Sequence, residues 1–110
     1  MYNKNYPDKL DLLVFFEGEP IIEDSSYGEC LGYQYGVGIT LFFYLNLTIS
    51  DATIELKNKD TTIVNISILN FKKVSINENH LTITSRDNNL SYRITLKPSI
   101  LIESFTDKFD

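Results

Sequence analysis

Five carboxylates and three phenols crowd one short stretch of the chain: Glu17, Glu19, Glu23, Asp24 and Glu29, with Tyr27, Tyr33 and Tyr35. Bond-breaking chemistry finds little material elsewhere. There is one histidine, His80, and one cysteine, Cys30, so the usual His and Cys zinc site cannot be assembled within the chain. A lone cysteine also excludes an internal disulfide and agrees with a reducing compartment. Cys30 with His80 would supply a nucleophile and a base. Neither sits in a local signature of such enzymes, and His80 falls at a turn before Leu81, where polar residues are normal. Glu17 and Glu19 could work as acid and base if a strand ran through Gly18, but Gly18 and Pro20 favour a turn. The acids do not follow the D-x-D-x-D-G order of a calcium loop. Gly36-Val37-Gly38 leads into a strand rather than a helix start and has no lysine to meet a phosphate. The N-x-[ST] matches at Asn46, Asn65 and Asn89 are chance in an Asn-rich chain without an export signal. The expectation is a protein that is not an enzyme, with no catalytic residues, no metal and no cofactor.

The charge is unevenly placed. The net charge of −5 comes entirely from residues 1–50, where seven acids face only Lys4 and Lys9. No Lys or Arg occurs between Lys9 and Lys57, and eight acids fall in that interval. Gathered on one face, they make a negative field that repels nucleic acid and anionic membranes and attracts basic partners. Aromatic stacking on nucleic acid would need a basic groove beside the rings, and the aromatics of residues 27–44 lie in the base-free interval.

Within Glu17 to Tyr35 acids, tyrosines and glycines interleave. Tyrosine brings contact area at low entropic cost, glycine lets a loop shape itself, and carboxylates pair with Lys and Arg. This is the composition of a recognition surface for a basic protein. The predicted partner-binding residues are therefore Glu17, Glu19, Glu23, Asp24, Tyr27, Glu29, Tyr33 and Tyr35.

The elements that must hold these residues read as strands. In Ile39 to Ser50 the residues Ile39, Leu41, Phe43, Leu45, Leu47 and Ile49 share one parity, so a strand places an apolar face inward and a mixed face outward. Asp11 to Glu17 also reads as a strand, with a single helical turn near Asp8 to Leu12 as the best helix candidate. Asp24 to Gly38 is expected as a long loop, of which Leu31 to Tyr35 could pair as an edge strand. Then a meander follows through Thr53–Leu56, Thr61–Leu69, Phe71–Ile76, Leu81–Ser85, Leu90–Leu96 and Ile100–Phe105, with polar turns between. Eight or nine strands at this spacing predict an all-β antiparallel sandwich or open barrel, one domain of 110 residues with little or no helix. No apolar run approaches the roughly 18 residues of a membrane span. Leu12 to Phe16 is too short for a secretory segment, so the chain is expected in the cytoplasm.

The stretch Glu17-Gly-Glu-Pro-Ile-Ile-Glu-Asp-Ser-Ser-Tyr-Gly-Glu29, in a small acidic all-β chain, resembles the small acidic immunity proteins of bacterial toxin systems such as contact-dependent growth inhibition. The resemblance lies in overall character. It implies a one-to-one heterodimer with a basic, nuclease-like toxin domain, in which the acids occupy the toxin's active-site cleft. Neither nucleic acid nor membrane is an expected partner. Two alternatives remain on the residues alone. One is a small-ligand or carbohydrate-binding β module using Phe42 and Tyr44 on the mixed strand face. The other is a structural assembly subunit that adds an edge strand to a partner.

Overall fold

A computed structural model describes residues 5–24, 29–86 and 90–106. The expected all-β sandwich is found. Five strands form one antiparallel sheet in sequence order: β1 (Ile22–Asp24), β2 (Cys30–Tyr35), β3 (Ile39–Asn46), β4 (Asp51–Asn58) and β5 (Thr61–Ile68). Four more form the second, also in sequence order: β6 (Phe71–Asn77), β7 (His80–Ser85), β8 (Leu90–Thr95) and β9 (Leu101–Thr106). One helix, α1 (Lys9–Phe16), precedes them.

The long alternating stretch sets the first sheet. Leu41, Phe43 and Leu45 are buried while Thr40, Phe42, Tyr44 and Asn46 stay partly exposed, as period-2 alternation requires. The strand ends at Asn46, and residues 47–50 turn, with Ser50 in the left-handed region. Across the sheet the inner rows read Leu31, Leu45, Ala52, Ile68 and Tyr33, Phe43, Ile54, Ile66. Val74, Leu81, Ile83 and Ile94 of the second sheet complete a shared core with them. At the corner between the sheets the Phe71 amide donates to the Ser50 carbonyl at 2.7 Å, and the Asn70 amide donates to Asp51 Oδ1 at 2.9 Å.

Two sequence expectations are corrected. Asp11 to Glu17 is not a strand: Lys9–Phe16 is helical. Five apolar residues in a row, Leu12 to Phe16, suit either a strand or a buried helix face, so the ends decide. Asp8 is extended at the N-cap, Asp11 lies in the first turn, and Glu17 closes the helix in the left-handed region at φ 59°. The Gly18 amide then donates to the Leu13 carbonyl. Leu12 and Phe16, four apart, enter the core, whereas Leu10 and Val14 remain exposed. The second correction concerns Asp24 to Gly38. Residues 25–28 of this expected loop lie outside the described residues, Cys30–Tyr35 is strand β2, and β2 is not an edge strand, because β1 pairs on its other side. Burial of Leu31 and Tyr33 against the core stabilises it there.

Candidate functional site

Helix α1 packs over the inner face of β2 and β3. The Phe16 ring stacks on Tyr33 at 5.2 Å between centroids and on Phe43 at 5.6 Å. This seats the first turn of the helix beside the short strand β1, and Lys9 reaches across to Glu23. Its ammonium donates to Glu23 Oε2 and lies 3.9 Å from Glu29 Oε2. Glu29 is fixed just before β2: its amide donates to Thr48 Oγ1 at 3.0 Å and its carbonyl accepts from the Leu47 amide at 2.8 Å. The hydrogen bond and charge of Glu23 hold the Lys9 ammonium above the ordinary lysine value against an opposing effect of burial, and Glu29 and Tyr33 add smaller contributions.

Tyr33 lies underneath. It is 0 % exposed, and its hydroxyl has no hydrogen-bond partner among the described residues. Burial pushes its phenol above the ordinary tyrosine value, the charges of Glu23 and Glu19 push the same way, and Lys9 opposes them. The expected contact residue is thus a core residue whose polar tip sits within the field of the acid cluster.

The structure divides the rest of the predicted set. Glu23 shares the inner face with Leu31, whereas its neighbour Asp24 is opposite Cys30 and belongs to the outer face. Glu17, at the end of α1, pairs with Lys97 on the connection between β8 and β9, and this hydrogen bond and charge raise the Lys97 ammonium. Tyr35, half-buried, adds to that effect on Lys97 and so belongs with this second group. Glu19 is exposed in the turn between α1 and β1. Tyr27 lies outside the described residues. Of the five acids, Glu23 and Glu29 therefore gather at Lys9, Glu17 pairs with Lys97, Asp24 lies on the opposite sheet face and Glu19 is exposed in the turn.

Lys9 and Lys97 are the functional neighbours that sequence reading overlooked. Lys9 carried a signal, as the last base before the base-free interval; Lys97 carried none, being eighty residues from Glu17. Of the other candidates, His80 Nδ1 lies 2.9 Å from Thr95 Oγ1 within the second sheet, and Cys30 is half-buried in the first. Phe42 and Tyr44 lie parallel on the outer face, 6.3 Å apart and within 3° of coplanar orientation, with the Lys57 ammonium 5.8 Å from the Phe42 ring. Tyr44 can lie across the sheet because position 32 is glycine, where a Cβ would stand 2.9 Å from its ring. A cleft of about 760 Å³ opens between α1 and β6, lined by Leu10, Val14, Phe15, Lys73 and Ile76 among others. Among the described residues no three His, Cys, Asp or Glu side chains are grouped to hold a metal ion, and no helix is long and apolar enough to cross a membrane.

No family model matches the sequence, and no curated protein matches it. A solved structure does match in fold. Over 96% of this chain and 98% of the other, it is similar to a chain of a contact-dependent growth inhibition toxin–immunity protein complex from Klebsiella pneumoniae 342, with a TM-score of 0.81 and 19% sequence identity. The architecture of two meandering sheets and one leading helix is therefore one that a chain of such a complex also adopts.

Proposed function

We propose that this chain is an immunity protein, which binds and neutralises a cognate toxin domain in the cytoplasm and does no bond-breaking of its own. The single observation that carries the reading is the near full-length fold likeness to a chain of a toxin–immunity complex. Charge favours the immunity side of such a complex. A nuclease toxin needs a basic surface for its substrate. This chain has a net charge of −5, with the excess entirely in its first half.

Glu23 and Glu29, with the exposed Glu19, would face a basic active-site cleft on the toxin. There they would stand in for the phosphates of its substrate and occlude the cleft. Opposite fields would speed the encounter, and desolvated ion pairs would slow release. The experiment starts from the open reading frame immediately upstream, which this reading expects to end in a toxin domain. With that domain in hand, stopped-flow association is expected to slow about tenfold between about 0.05 M and about 0.5 M salt. The double variant E23Q/E29Q is expected to slow it at low salt to a similar degree. An on-rate indifferent to both salt and these substitutions sinks the proposed face. Failure of the upstream product to bind at all sinks the immunity reading.

The parallel pair Phe42 and Tyr44 favours a second reading, a platform on which a sugar ring could lie. A thermal-shift screen with oligosaccharides separates the two readings, since only the platform predicts a raised melting point.

A further inference from the structure

We propose that Glu23, Glu29 and the Tyr33 hydroxyl form a subsite for one alkylammonium or guanidinium group. Lys9 fills this subsite in the free chain, and an arginine of the partner takes it over on binding. The identity of that partner rests on the function proposed above; the subsite itself does not.

Three observations converge on it. Lys9 bridges both carboxylates, donating to Glu23 and lying 3.9 Å from Glu29. All three side chains remain about half exposed, so the ammonium can leave into water and another cation can enter from the same side. Tyr33 is 0 % exposed, and its hydroxyl has no partner among the described residues. Most buried hydroxyls have a partner, and one that lacks it calls for an explanation. Glu23 pairs opposite Leu31, so Tyr33, two residues further along the same face of β2, is its diagonal neighbour, and the charges of Glu23, Glu19 and Lys9 act on its phenol.

Lysine uses this place incompletely. Its ammonium is a compact donor at the end of a flexible stem, and it leaves Tyr33 unsatisfied. A guanidinium is planar and carries five donors in a fixed fork. It can engage Glu23 and Glu29 and still direct an N–H at the Tyr33 oxygen. The exchange keeps one cation between the two carboxylates, so no carboxylate is left unpaired. Lys9 therefore acts as a placeholder: it keeps the acids ordered and lowers their repulsion until a better-fitting cation arrives.

The test uses ethylguanidinium as the probe and NMR titration of the folded chain, with no toxin present. In K9M the probe is expected to bind about twofold to fivefold more tightly than in the wild type, the size of one exposed ion pair. Adding E23Q to K9M is expected to abolish the gain, and adding Y33F to K9M to reduce it. If K9M binds the probe no more tightly than the wild type, or if the gain survives E23Q, the subsite is refuted. Should K9M fail to fold, the wild type still decides. There the probe must move the Lys9 side-chain signals toward those of free lysine in step with Tyr33, and Lys9 signals that stay in place refute the exchange. Cation exchange without any toxin binding would leave this subsite standing and remove only the immunity reading.

Discussion

Tyr33 carries a hydroxyl that the fold has buried without giving it a partner among the described residues. Such a group bears its desolvation penalty uncompensated, whereas the ring beneath it packs on Phe16. Y33F is therefore expected to stabilise the chain by about 1 kcal/mol in urea denaturation near neutral pH. The same variant tests the direction of its titration. The folded phenol is held above the ordinary value of 10.0, mainly by burial. Its contribution is intact below the unfolded value and is lost as pH rises through the higher folded one. Above pH 10.0 the wild type is thus expected to lose stability more steeply than Y33F. At this scale the sequence was half legible. The abundance of acids and phenols between residues 17 and 35 was visible, but their partition was not. Glu23 and Asp24 are neighbours in sequence and fall on opposite faces once β1 forms. Lys9 and Glu23 are fourteen residues apart and meet only because a helix lies over a strand. Composition cannot report either event, since both depend on which elements form and how they pack.

At the scale of elements, helix α1 joins the core to the site. Its buried pair, Leu12 and Phe16, anchors the turn from which Lys9 projects. F16A would remove two stacked ring contacts and leave a cavity beneath the helix. A loss of about 3 to 5 kcal/mol is expected in denaturant melts. Release of Lys9 is expected as well, seen as a fall of its NMR-measured pKa toward the ordinary 10.5. A Lys9 titration unchanged in F16A would mean that the helix does not position it. The strands were legible because alternation survives wherever one face is buried, as in Leu41, Phe43 and Leu45. The helix was not, because an unbroken apolar run carries no period. Its ends held the usable signal, Pro7-Asp8 before it and Gly18 after it. Strand β2 was obscured by its glycines. Gly36, at φ 109°, does belong to a turn, but Gly32 lies within the strand and makes room for Tyr44.

At the scale of the molecule, each sheet is a sequential meander, and the two share one apolar core, to which α1 adds Leu12 and Phe16. Phe43 and Ile54 of one meet Ile83 and Ile94 of the other in a single core cluster. The two sheets are therefore expected to unfold together. Far-ultraviolet circular dichroism and tyrosine fluorescence should give coincident urea transitions, and I83A should move both by the same amount. Separated transitions would show that one sheet stands alone. The all-β class, and the strands and turns from β3 onward, were readable from spacing. The order of strands follows because every connection between consecutive strands within a sheet joins neighbours.

The two sheets also share an irregularity at their margins. In β5 the pairing steps from Val64 opposite Leu56 to Thr62 opposite Lys57, leaving Ile63 as an extra residue. In β6 it steps from Phe71 opposite Ser85 to Lys73 opposite Thr84, leaving Lys72 extra. Both are outermost strands, and a bulge bends such a border and breaks its even ladder of amides and carbonyls. A second molecule laying a straight strand alongside either border would find the hydrogen-bond spacing out of step partway along, so these two flanks are poor templates for filament growth.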